Sequence, residues 1–160
     1  MPVNDDIQRF PVHKNPRMKH YDYRTPNYYF ITMCTHEKQC MFGMGDRLTA
    51  YGLLAQQGLA ELEQHFPDIK VDKFVVMPNH VHAILVLQEN SAALSVVIGQ
   101  YKSFVARMIH RTEPEKKIWQ TSYHDHVIRN QKSYENIWLY IDSNPSNWSK
   151  DCFFTDLTTI

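Results

Sequence analysis

The run from Met77 to Leu87, MPNHVHAILVL, places two histidines one residue apart in a stretch that is otherwise strongly apolar. On a β-strand, alternate side chains share a face and the rise is about 3.3 Å per residue, so His80 and His82 point the same way with Cα atoms roughly 6.6 Å apart. Two imidazoles so placed can converge on one ion, and a neutral imidazole is a common ligand for divalent metals whose remaining positions accept a phosphate oxygen. The plainer reading is a pair of hydrogen-bonded histidines at a sheet edge. His124 and His126 have the same spacing, so spacing alone does not choose between the pairs. Tyr140 and Asn144 stand four residues apart, on nearly one face of a helix, with Ile137 and Ile141 beside Tyr140 to anchor that helix on a sheet. They would hold a phenol and a carboxamide over the sheet, unless Tyr140 is simply core and Asn144 a helix end before Pro145.

The elements that must position these side chains follow from periodicity. NYYFITMCT, residues 27–35, is rich in aromatic and β-branched residues and reads as a first strand. Ala55, Leu59, Leu62 and Phe66 repeat at helical spacing between Leu48 and Phe66, and Pro67 marks the stop. IKVDKFVVM and HVHAILVL are two strands joined by a tight turn at Pro78 and Asn79. Leu94, Val97, Ile98, Tyr101, Val105, Met108 and Ile109 define a second helix, which Gly99 weakens. YHDHVIRN, residues 123–130, is a fourth strand, and SYENIWLYIDSN a final helix closed by Pro145. The order is βαββαβ plus a helix: an α+β, ferredoxin-like antiparallel sheet with two helices on one face and an additional C-terminal helix. Such a plan hosts many functions and selects none.

The 160 residues suit one domain with a real core, preceded by an irregular arm over residues 1–24 that contains Pro2, Pro11 and Pro16. The domain is expected over 25–160. A hydrophobic content of 43% argues against disorder, and no apolar run approaches the roughly 18 residues needed to span a bilayer. The N-terminus lacks a signal-peptide pattern, so the expected location is cytoplasmic, associated with the nucleoid. Cys34, Cys40 and Cys152 have no CxxC spacing and read as ordinary thiols. The net charge is zero, yet residues 1–24 carry +2 and residues 97–132 carry +4, balanced by −6 elsewhere. The basic residues are gathered, either on a solvated face or on one that meets an anionic partner.

Taken together, these stretches resemble a family. VVMPNHVHAILVL is similar to the histidine–hydrophobic–histidine motif of the single-tyrosine HUH transposases. YDYRTPNYYFITMCTHEKQCMFG, IGQYKSFVARMI, IWQTSYHDHVIRN and YIDSNPSNW resemble successive blocks of the REP-associated branch, in family order from Tyr21 to Trp148. The resemblance implies a metal-dependent endonuclease and strand transferase acting on single-stranded or hairpin DNA, with Mg2+ or Mn2+ as cofactor. His80 and His82 match its metal-binding histidines, Tyr140 its nucleophile and Asn144 the position of a third, amide ligand. By this resemblance His124 and His126 take a structural or DNA-contacting role.

In that chemistry a tyrosine attacks phosphorus, leaving a 5′-phosphotyrosine and a free 3′-hydroxyl. The basic segment then acquires a role, in which Lys102, Arg107 and Arg129 line a phosphate path and Tyr101 or Trp119 stacks on bases. Lys102 matches a family lysine in the YKSF block, and the arm 1–24 is expected to hold the hairpin foot. Relatives of this kind act as monomers or homodimers. Two other classes fit the fold: a non-catalytic single-stranded nucleic-acid-binding module, against which no RNP-like run is present, and a phosphodiesterase that uses water and survives loss of Tyr140.

Overall fold

β1 (Asn27–Cys34) is the key to the architecture, because its two faces bury different things. Tyr29, Ile31 and Met33 point into the larger apolar cluster, whereas Phe30 on the alternate face belongs to a smaller one with Ile84, Ile128, Ile137 and Ile141. A strand buried on both sides reads as a nearly continuous apolar run, as NYYFITMC does. A computed structural model describes residues 27–44 and 47–145; the arm expected over residues 1–24 lies outside the described residues, as does Cys152.

After β1 come a short 3-10 turn (His36–Lys38), a two-stranded ribbon of β2 (Gly43–Met44) and β3 (Arg47–Leu48), and helix α1 (Ala50–His65). β4 (Ile69–Met77), β5 (His80–Leu87), α2 (Leu94–His110), β6 (His124–Ile128) and α3 (Gln131–Ser143) complete the described chain. The main sheet has the order β4-β5-β1-β6 with every neighbouring pair antiparallel. This is the split βαβ arrangement of the expected ferredoxin-like fold. Sequence periodicity misses only the small ribbon and the 3-10 turn, each too short to carry a period.

α1 and α2 cover one face. Thr49 caps α1 by accepting a hydrogen bond from the Gly52 N–H at 3.2 Å. Gly58 lets the helices approach: a Cβ there would stand 2.9 Å from the Tyr101 ring. α3 lies on the opposite face, across β4 and β5, and is capped by Asn130, whose Oδ1 accepts from the Ser133 N–H at 2.8 Å. Ile137 and Ile141, each 1% exposed, are the residues it sinks into the sheet. The sheet therefore separates a mainly apolar layer from one where a helix rests on a small apolar patch beside His80 and His82. No helix of the described residues is long and apolar enough to cross a membrane.

Candidate active site

The β4–β5 hairpin sets the histidines. Met77 pairs with His80 across the two-residue turn Pro78–Asn79, and the buried carbonyls of that turn are satisfied from outside it. The Thr35 N–H donates to the Asn79 carbonyl at 2.9 Å and the Phe42 N–H to the Pro78 carbonyl at 2.9 Å. The turn is thus fixed by β1 and the following loop, and His80 starts β5 from a rigid corner.

From there alternation puts His80 and His82 on the α3 face, 0% and 1% exposed. Their Nε2 atoms face each other at 3.1 Å. Each Nδ1 is engaged on the other side: His80 Nδ1 lies 2.7 Å from Asn79 Oδ1, and His82 Nδ1 2.8 Å from Thr32 Oγ1. Asn79 Oδ1 can only accept, so in this amide orientation His80 carries its proton on Nδ1 and turns an Nε2 lone pair toward His82. If Thr32 likewise accepts from His82, two lone pairs meet across 3.1 Å. That arrangement needs a cation or a shared proton between them. Two imidazole nitrogens this close could ligate the same divalent ion.

α3 brings the remaining candidates. The Tyr140 ring centroid lies 5.3 Å from that of His82, with the planes tilted by 57°, and 6.2 Å from Phe30. One turn on, Asn144 is 2% exposed and its Nδ2 has no hydrogen-bond partner. Amide oxygen and nitrogen are exchangeable by a flip, so this buried position can present a carbonyl oxygen instead. Among the described residues no group of three His, Cys, Asp or Glu is placed to hold a metal; the nitrogen donors that the structure brings together are the two imidazoles.

Thr32 and Asn79 are site residues that sequence reasoning misses. Asn79 reads as a turn residue alone, and the signal at Thr32 is slight: it is the one hydroxyl of a threonine or serine within NYYFITMC. Two further contacts join α3 to β4. The Tyr134 hydroxyl donates to Asp72 Oδ2 at 2.5 Å, and the hydrogen bond to this carboxylate pushes the phenol up to about 12, so it is a donor at neutral pH. Lys73 donates to Asp142 at 2.8 Å and sits 3.9 Å above the Trp138 ring.

The residues expected to touch DNA are scattered by the fold. Tyr101 is 0% exposed and its hydroxyl donates to the Ala55 carbonyl at 2.8 Å. It is a core residue between α1 and α2 with no ring surface for a base, which corrects that expectation; its helical spacing with Val97, Ile98 and Val105 already places it inside. Trp119 is half-buried against Phe42 and Tyr101, and its Nε1–H donates to the Lys102 carbonyl at 3.1 Å. Lys102 donates to the carbonyls of Gln120 and Ser122 at 2.9 and 3.0 Å, tying α2 to the loop that leads into β6. Arg107 is exposed on α2, across the sheet from the histidines. Arg129 is exposed at the end of β6, beside Tyr28 and Tyr134 on the α3 face. His124 and His126 also lie on that face: His124 is aligned with Thr32 and His126 with Phe30.

Known proteins share this chain's sequence and fold. A protein of Haemophilus influenzae without an assigned function is 30% identical over 165 residues, covering 88% of this chain and 92% of its own. A REP-associated tyrosine transposase of Escherichia coli is 26% identical over 119 residues, 69% of either chain. Among solved structures, a REP-associated tyrosine transposase bound to a REP hairpin superposes with a TM-score of 0.66 at 23% identity, covering 86% of this chain and 78% of that one. A transposase-like protein of Deinococcus radiodurans gives 0.54 at 16% identity over 82% and 97% of the two chains. Both show the same fold. The model of the family described as "Transposase IS200 like" matches residues 25–144, so that the hairpin with its two histidines and the helix with Tyr140 and Asn144 lie inside the match, and the chain belongs to that family.

Proposed function

We propose that this chain cleaves and rejoins single-stranded DNA at a hairpin or repeat, with Tyr140 as the nucleophile. The observation that carries the reading is the convergence of two buried imidazole Nε2 atoms, 3.1 Å apart, beneath a tyrosine ring 5.3 Å from His82. Two imidazoles converging at this distance, each turned by a partner on its Nδ1 side, supply a pair of nitrogen donors of the kind a phosphoryl-transfer site uses to hold a metal.

The Tyr140 oxygen gives up its proton to solvent as it attacks the scissile phosphorus, the bond from phosphorus to the 3′-oxygen breaks, and that oxygen takes up a proton and leaves as a 3′-hydroxyl, so that no net proton is consumed. The strand's 5′-phosphate is then held as a phosphotyrosine ester, which keeps the phosphodiester energy for attack by another 3′-hydroxyl. His80, His82 and the Asn144 carbonyl would hold a divalent cation, Mg2+ or Mn2+. Such an ion supplies positive charge against the charge that develops on the phosphoryl oxygens. Thr32 and Asn79 keep the imidazoles turned so that both Nε2 atoms face inward. Phe30 and the His82 ring support the phenol edge and restrict its approach. Arg129 beside Tyr28 and Tyr134, and His126 aligned with Phe30, are exposed on the α3 face and would meet the DNA backbone there.

The test is incubation of the full chain with labelled hairpin DNA and Mn2+ or Mg2+, beside Tyr140→Phe. A denaturant-resistant protein–DNA adduct that requires both the metal and Tyr140 is expected. Metal-dependent cleavage persisting in Tyr140→Phe would make water the nucleophile, and binding without cleavage would leave a nucleic-acid-binding module.

A further inference from the structure

The strand that faces α3 breaks its own alternation. In β4, Val71 pairs with Leu85 but Lys73 pairs with Ile84, so β4 uses two residues where β5 uses one. This is a β-bulge, which re-aims the side chains at and after it. Before it, Ile69 and Val71 serve the α1/α2 side; after it, Val75 packs in the α3-side cluster. At the bulge two consecutive residues, Asp72 and Lys73, both reach the same helix, which a regular strand forbids.

Their partners form one stripe. Asp72 accepts from Tyr134, and Lys73 meets Trp138 and Asp142. Residues 134, 138 and 142 lie at i, i+4 and i+8, so the contacts run along about 12 Å of α3 on a single line. That line is distinct from the one carrying Ile137, Ile141 and Asn144 into the sheet. Ile137 and Ile141, with Tyr134, Trp138 and Tyr140 packed beside them, set which broad face of α3 meets the sheet, and apolar contact leaves some freedom of rotation about that position. A directional line of polar contacts fixes rotation, and rotation of α3 decides where Tyr140 points.

We propose that Asp72 and Lys73, brought to one side by the bulge, are positioning residues for the nucleophile: they set the rotation of α3 and so hold Tyr140 over His82. This rests on Tyr140 being the nucleophile. The ion pair of Lys73 and Asp142 is partly open to solvent, with side chains 22% and 54% exposed, and an exposed pair contributes little to stability. Its effect is therefore expected in the chemical step and not in folding. Small displacements are costly there, since a shift of about 1 Å in a reacting group can cost up to roughly 100-fold in rate.

Lys73→Met keeps a long side chain over Trp138 and removes the charge. The adduct-forming rate at saturating hairpin, the hairpin Kd, and amide hydrogen exchange across α3 and β5 are to be measured on the full chain. A rate lower by about 10-fold is expected, with Kd within about twofold and faster exchange confined to α3. The exchanged pair Lys73→Asp with Asp142→Lys is expected to recover most of the rate, which a merely structural loss would not do. An unchanged rate overturns the proposal, as does a parallel loss of rate, affinity and exchange protection throughout the chain. If the wild-type chain forms no adduct with any hairpin, the nucleophile reading fails. In that case confined exchange in α3 identifies a packing contact, and the positioning role falls with it.

Discussion

The chain contains the pattern histidine, any residue, histidine twice, and the two copies have different fates. His80–His82 lies on β5, an interior strand, and both side chains are essentially without exposure. His124–His126 lies on β6, a five-residue strand at the sheet edge, where His124 is half-buried and His126 exposed. Both pairs face α3, and both flank the same residue, since Thr32 is aligned with His82 on one side and His124 on the other. Thr32 bonds to His82. Spacing puts two imidazoles on one face; a strand neighbour on each side and a fixed rotation bring the Nε2 atoms of only the first pair together in the interior.

Substitutions can break that comparison. His82→Ala is expected to lower the adduct-forming rate by about 100-fold or more, while His124→Ala lowers it by less than about threefold, because only the first removes a donor from the converging set. Equal losses at both positions would mean that the two pairs work as one site. A smaller effect is expected at Thr32→Val, which preserves shape and removes the partner of His82 Nδ1. Calorimetric titration with Mn2+ should show affinity weaker by roughly 10-fold to 100-fold, the range typical of groups that orient a ligand. Unchanged affinity would show that packing alone holds the ring. The smallest effect serves as the control: a Cβ at Gly99 meets nothing within 4 Å, so Gly99→Ala should stabilise α2 by about 1 kcal/mol in denaturant unfolding. It should leave the adduct rate unchanged, which separates stability from chemistry in the other variants.

Several elements are legible in the sequence with little error. β4 and β5 have the expected bounds, 69–77 and 80–87, because both ends carry strong local signals and the turn residues sit between them. α1 begins at Ala50 and not at Leu48, since Thr49 is its cap. β6 is shorter than the run from 123 to 130, for its pairing with β1 ends at Ile128. The residues expected to contact DNA are the least legible. A basic or aromatic residue is recognisable by type, but whether its tip reaches solvent depends on what packs beside it. Tyr101 is enclosed at the α1–α2 crossing, and Lys102 directs its hydrogen bonds to loop carbonyls.

The sequence by itself determined the element order, the shared face of His80 and His82, the shared helical face of Tyr140 and Asn144, and the resemblance that singled out these four residues. The first three follow from local periodicity, which a chain expresses whatever it packs against. The tertiary structure alone decided that α3 lies on the histidine side of the sheet, that Thr32 and Asn79 orient the imidazoles, and that a bulge in β4 turns Asp72 and Lys73 together toward the helix. Those depend on register, the alignment of residues tens of positions apart. Register is settled by the packing of both faces at once, and no window of sequence contains it.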